Sequence, residues 1–255
     1  ERYTDRSCLT LEKILEFANN CNLDDVRTII SRQIECNMAI SDEGMTGKYG
    51  LDIGHVLTKD NNCLEVLMSA RAAAASEARM DGCPLPVVTN SGSGNQGITT
   101  SVPIIVYCRE KHLDEETLYR ALVFSNLCTI HEKTGIGRLS AFCGAVCAAT
   151  STGATLTYLK GGTLEQIENT VRNNFADISG IVCDGAKTTC ALKIHTSLQA
   201  AFLASKMALC GKTYDANTGI LKASCESTID AIGVLGKQGM KETDKVILNI
   251  MLEKE

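Results

Sequence analysis

The stretch from Cys183 to Cys190 holds two cysteines seven positions apart, with Asp-Gly-Ala-Lys-Thr-Thr between them and an Ala-rich helical pattern directly after. Forty positions before Cys183, Cys143 sits in a second small-residue run, Ser140-Ala141-Phe142-Cys143-Gly144-Ala145-Val146-Cys147. Thiolates at a helix start make chemical sense, because unpaired N–H groups and the positive end of the helix dipole favour thiolate over thiol. The spacing leaves three readings open. Buried free cysteine is a common small core residue, and Cys36, Cys63, Cys108, Cys128 and Cys210 read that way, with Cys147 sharing the face of Cys143. Zinc wants a closed set of four ligands, and His195, five residues beyond Cys190, is the available fourth. Three cysteines without a fourth would instead leave one iron of a [4Fe-4S] cluster open, a Lewis acid toward a substrate oxygen or sulfur. Lys187, between the two cysteines, reads as an anion hook, a Schiff-base lysine or, most simply, a solvated side chain.

A second polar constellation is Asn90-Ser91-Gly92-Ser93-Gly94-Asn95-Gln96-Gly97. It fits the G-x-G-x-x-G pattern of dinucleotide-binding folds, but that reading requires a parallel sheet, and no alternating strand–helix series follows. A P-loop fails because no Lys-Ser/Thr follows the last glycine. What remains is a tight turn, or a small cradle in which backbone N–H groups and hydroxyl or amide side chains receive an anionic group such as a carboxylate. No Ser-His-Asp or His-Glu-x-x-His arrangement occurs.

The composition sets the frame for these groups. With 255 residues, 44% hydrophobic, 4% aromatic and no Trp, the core must be aliphatic and built on small side chains. A net charge of −5 without a basic block argues against nucleic acid or an anionic membrane as partner. The 13 cysteines are odd in number and scattered through apolar helical patterns, which argues against a disulfide framework and for a reducing cytoplasm. No uninterrupted apolar run suits a membrane span.

The periodicity predicts a mainly α, compact multi-helix domain over residues 1–255, with a buried central helix and Gly-rich loops. Leu11, Ile14, Leu15 and Ala18 mark a first helix; Asn22 is placed to cap a second, and residues 41–60 read as a loop with one short helical piece. Helical spacing resumes over 62–80, and Gly82 to Thr89, with two prolines, breaks it. An apolar helix kinked at Pro103 then runs to about Arg109; Asp114 caps the next, and Gly135 and Gly137 stop it. The nearly all-apolar run from Leu139 to Leu159 is the expected central helix. Thr163 and Gln166 form a capping box, a long helix spans about Thr189 to Cys210, and two helices begin near Ser224 and after Thr243.

Taken together, the motifs at 90–97, Ala141-Phe142-Cys143-Gly144-Ala145, Cys183-Asp184-Gly185-Ala186-Lys187 and Cys190-Ala191-Leu192-Lys193 make the chain resemble the iron–sulfur L-cysteine desulfidase family. That family is related to the α domain of bacterial iron–sulfur L-serine dehydratases. The resemblance implies a mostly helical fold, a [4Fe-4S] cluster, and α,β-elimination on a small amino acid without pyridoxal phosphate. L-cysteine would yield pyruvate, ammonia and hydrogen sulfide; L-serine would yield pyruvate and ammonia. By residue matching, Cys143, Cys183 and Cys190 become the metal ligands, and Asn90, Ser91, Ser93, Gly94, Asn95 and Gln96 the substrate contacts. Family members also carry an N-terminal Pro-Ala-Leu-Gly-Cys-Thr-Glu-Pro type motif, whose cysteine is a candidate base or transient fourth ligand. It does not occur here, and Asp81-Gly82-Cys83-Pro84 does not match it in place. The chain is therefore expected to be the C-terminal part of a longer enzyme, completed by a missing N-terminal segment or a homo-oligomer, with its base outside these residues. The competing expectations are a non-catalytic small-molecule binding domain and a structural zinc domain.

Overall fold

The protein is described by a computed structural model covering residues 4–137 and 140–253. Among these residues the fold is mainly α, with eleven helices and no strand beyond isolated bridges. In order they are α1 (Leu11–Asn20), α2 (Asp24–Gly44), α3 (Ile53–Thr58), α4 (Leu64–Met80), α5 (Gly94–Glu110), α6 (Glu115–Ile136), α7 (Gly144–Leu159), α8 (Leu164–Asp177), α9 (Cys190–Leu209), α10 (Cys225–Val234) and α11 (Lys241–Leu252). A π-helical turn, Leu235–Gly239, joins the last two.

Helix α7 is the centre. Ala145 to Thr157 are all buried, and α5, α6, α8 and α9 pack around them. Such burial of a polar-rich helix works because its hydroxyls find acceptors, as Thr150 does at the Val146 carbonyl and Thr155 at the Ser151 carbonyl, one turn back at 2.7–2.8 Å. Small side chains also let neighbours come close, so that Cα of Gly153 lies against the backbone of Ala201 on α9.

Local signals account for most helix ends. Thr10, Ser93, Asp114, Thr163 and Ser224 each cap a helix through the side chain, and Thr163 completes the expected capping box with Gln166. Helix α6 stops at Gly137, whose φ of 90° suits glycine. Helix α5 runs on through Pro103. Pro103 cannot donate to the Thr99 carbonyl, and the Thr152 hydroxyl of α7 donates to it instead, at 2.9 Å.

Several expectations shift. The position before α2 is Leu23, while Asn22 accepts from the Asp24 N–H at 3.2 Å. Helix α2 extends to Gly44, inside the expected loop, because Gly44 packs directly on the Ala74 backbone of α4. Gly135 lies within α6, where the missing side chain lets α10 approach through Gly233. Helix α7 begins at Gly144, since Ala141 to Cys143 are extended and paired with another segment; the start expected at Leu139 lies outside the described residues. Cys63 and Cys210 are exposed, because they fall at helix ends rather than on inward faces. All 13 cysteines are free thiols.

Candidate functional site

Two short segments before α7 and α9 are tied by an antiparallel bridge between Phe142 and Val182. The Cys143 N–H donates to the Ile181 carbonyl at 2.8 Å, and the Cys183 N–H donates to the Ala141 carbonyl at 2.7 Å. Alternation along extended chain puts Cys143 and Cys183 on one face of this pair. The two thiols are close enough to shift each other's proton affinity in opposite directions. The neighbouring Cys143 thiol, a Gly185 N–H and the nearby charge of Lys193 bring the Cys183 thiol down to about 6 despite burial, which favours its thiolate. The Cys183 side chain, together with burial, pushes the Cys143 thiol up.

Cys190 is the first residue of α9 and is buried. Its sulfur accepts from the Lys187 N–H at 3.5 Å and donates to the Gly185 carbonyl at 3.7 Å. Lys193, one turn into α9, pairs with Asp184. Burial works against the Lys193 charge, but Asp184 and the two thiols keep its pKa above the ordinary value. Lys187 is exposed, as the solvated reading expects. His195 points elsewhere: Nδ1 bonds Ser69 Oγ on α4 at 3.0 Å, and burial lowers its pKa. Among the described residues no three His, Cys, Asp or Glu side chains stand close enough together for a single metal ion. Ligands of one ion crowd around one centre, whereas an iron–sulfur cluster takes each cysteine on a different iron and so accepts a wider set.

The Gly-rich stretch is a turn followed by a helix start. Asn90 and Ser93 exchange backbone hydrogen bonds at 3.1 and 2.9 Å, and the left-handed Ser91 (φ 50°) and Gly92 (φ 82°) form the two-residue reversal between them. Asn90 is buried and spent on anchoring the turn, donating to the Asn126 carbonyl and Oδ1 at 3.1 and 2.9 Å, while Ser91 Oγ donates back to Asn90 Oδ1 at 2.9 Å. Ser93 caps α5 by accepting from the Gln96 N–H. A methyl group on Gly97 would overlap the Val88 carbonyl oxygen, so that glycine lets the irregular segment before the turn lie against α5. Asn37 of α2 holds this contact: Oδ1 accepts from the Val88 N–H at 2.8 Å, and Nδ2 donates to the Val88 and Gly97 carbonyls and to Ser101 Oγ at 2.9–3.3 Å.

The two motifs meet through Gln96. Its side-chain amide fills the space over Gly144, the first residue of α7 and the neighbour of Cys143. Gln96 is 6% exposed, and its Oε1 is buried without a hydrogen-bond partner. The amino ends of α5 and α7 therefore converge beside the thiols, with the amino end of α9 at Cys190. Three helix dipoles present their positive ends to one region, which suits thiolates and a carboxylate. Cys143 and Cys183 on one face of the bridged segments, Cys190 at the start of α9 and an orphaned amide oxygen nearby are a donor set of the kind that an iron–sulfur group takes.

Two residues to which the sequence reading gave no role stand here. Arg79, near the end of α4, crosses the first turn of α5, where a Cβ on Gly94 would lie 2.5 Å from its Nε. Its Nη1 donates to Asn95 Oδ1 at 3.1 Å. A lone arginine closing a run of buried small residues on α4 was the available signal. Lys193 is the other; its nearness to the thiols follows from the helical turn after Cys190.

Residues 6–249 match the family described as the serine dehydratase alpha chain. The chain is 52% identical to a UPF0597 protein of Desulfitobacterium hafniense over 98% of its own length and 58% of the relative's. It is 47% identical to a UPF0597 protein of Treponema denticola, over 98% of this chain and 59% of the other. A third, from Finegoldia magna, is 46% identical over 99% and 60%. The chain thus spans about 60% of the length of the curated relatives it matches. No described helix is long and apolar enough to cross a membrane. With the match covering nearly every residue from α1 to α11 and both motifs, the chain belongs to the serine dehydratase alpha chain family.

Proposed function

We propose that the chain is the cluster-carrying part of a lyase that removes the β-substituent of a small L-amino acid, L-cysteine or L-serine. The observation that carries this is the Phe142–Val182 bridge, which sets Cys143 and Cys183 on one face at the start of α7, where the Gln96 side chain lies over Gly144 with its Oε1 unpartnered. Cys143, Cys183 and Cys190 would hold a [4Fe-4S] cluster, which when bound supplies a Lewis-acidic iron for the β-thiol or β-hydroxyl. The chain's own residues orient and desolvate. The first turn of α5 receives the backbone end of the substrate, Gln96 lies between that end and the thiols, and the buried walls of α5 and α7 exclude water. The reaction balances without an oxidant. Loss of the α-proton and of the β-thiol or β-hydroxyl gives 2-aminoacrylate, which tautomerises to an imine and takes up water to release pyruvate and ammonia. The family assignment supports the serine arm, and the motifs shared with L-cysteine desulfidases support the cysteine arm. In this reading the partner is a small amino acid, with neither nucleic acid nor membrane involved.

Anaerobic reconstitution with iron and sulfide tests the ligand set. The parent should gain broad visible absorption and acid-labile sulfide. A Cys143→Ser, Cys183→Ser, Cys190→Ser triple variant that takes up as much iron would overturn the assignment. Pyruvate release from L-cysteine, with sulfide, against release from L-serine then decides the substrate. Retention of either amino acid unchanged by the loaded protein would instead mark a binding domain.

A further inference from the structure

The two charged ends of an amino acid need two different receptors, and the first turn of α5 has one of each. Arg79 reaches it from α4 and is half-buried. Its hydrogen bonds among the described residues go to Asn95 Oδ1 at 3.1 Å and Met80 Sδ at 3.8 Å, both uncharged. The lack of a side chain on Gly94 is what lets the guanidinium lie over this turn, with Nε 2.5 Å from where a Cβ would be. A guanidinium presents a rigid fork matched to a carboxylate, and here it adds to the positive end of α5. Two residues along the same turn, the Gln96 amide lies over Gly144, and its carbonyl oxygen is buried with no partner. A buried acceptor without a donor is costly, and an ammonium group supplies the donor.

We infer that Arg79 is the positioning residue for the substrate α-carboxylate and that Gln96 Oε1 accepts from the α-ammonium, so that the β-carbon is turned toward Cys143 and Cys183. The inference rests on the proposed amino-acid lyase only for the class of substrate. It moves the charge recognition away from the hydroxyls of Ser91 and Ser93, which the turn itself uses, and onto a residue of a different helix. It also accounts for Gly94 and Gly144, each of which would block one of the two side chains if it carried a Cβ.

The test is equilibrium binding to the 255-residue chain without iron, at pH 6, below the α-amino range, with L-serine and L-serinamide as probes. The parent should prefer L-serine by about ten- to a hundredfold, the worth of a charge-assisted pair. Arg79→Gln should lose that preference by weakening L-serine and leaving L-serinamide unchanged, and Arg79→Lys should restore part of it. On the unmodified protein, the Arg79 Nε–H resonance should move with L-serine and stay with L-serinamide, a reading that survives if the variants misfold. A folded Arg79→Gln variant that keeps the preference, a parent with none, or a resonance that ignores L-serine would overturn the inference. None of these outcomes touches the iron-uptake experiment, so the lyase reading stands or falls separately.

Discussion

The N–H groups of Cys143 and Cys183 cross between two short segments, to the Ile181 and Ala141 carbonyls, and set both side chains on one face. Across the Phe142–Val182 bridge the two thiols are shifted in opposite directions, Cys143 upward and Cys183 downward. The asymmetry has a physical source. Cys183 is the more exposed of the two and also receives the Gly185 N–H and the charge of Lys193.

That asymmetry is measurable as reactivity. In the iron-free protein, alkylation of Cys183 followed by peptide mass spectrometry should rise with pH around a midpoint near 6. Cys143→Ala and Lys193→Ala should each move the midpoint upward, toward the ordinary thiol value of about 8.5, since each removes a group that stabilises the thiolate. A midpoint unmoved in both variants would contradict the geometry.

Thr152 and Pro103 form a second testable pair. Thr152→Val keeps the shape but strips the Thr99 carbonyl of its donor, which should cost about 1–3 kcal/mol in urea unfolding. In a Pro103→Ala background the backbone N–H returns to that carbonyl, so the same substitution should cost less. Equal costs in both backgrounds would mean that the hydroxyl is not the replacement donor.

Gly97 and Asn37 hold the segment before the turn. Gly97→Ala would drive a methyl into the Val88 carbonyl, and a loss of about 3 kcal/mol is expected from overpacking. Asn37→Ala leaves the Val88 N–H without its acceptor and the Gly97 carbonyl with the Ser101 hydroxyl as its remaining side-chain donor, and should cost about 1–3 kcal/mol. Hydrogen exchange should show faster opening of residues 87–97 in both variants, and exchange unchanged there would refute the clamp.

Glu132 gives a pH signature. It is fully buried on α6, accepts from Ser151 Oγ at 3.0 Å through Oε1, and has an unpartnered Oε2. Burial raises its pKa well above the usual 4.5. The folded state therefore holds the proton above the pH at which the unfolded chain releases it. Stability from this group is full below the unfolded pKa and declines as pH rises toward the folded one. Relative to the parent, Glu132→Gln should gain up to about 1.4 kcal/mol per pH unit across that window, whatever its offset at low pH. Parallel stability profiles from pH 5 to 8 would show that the carboxyl is already ionised.

What the sequence determined by itself is local in origin. Helical periodicity, the caps at Asp114, Thr163 and Ser224, and the glycine stop at Gly137 depend on residues within a turn or two of one another. The density of small residues from Ala145 to Thr157 was enough to mark α7 as buried. Only the tertiary structure decided which cysteines meet. The bridge that joins Cys143 to Cys183 closes a loop of forty residues around α7 and α8, and no local propensity encodes such a closure. The same holds for Arg79. Its chemistry was visible as a charge at the end of an apolar helix, but its place over the amino end of α5 is set by the packing of α4 on α5 and by the missing side chain of Gly94. Residue type announces which groups can do chemistry, and long-range packing selects the few that stand together.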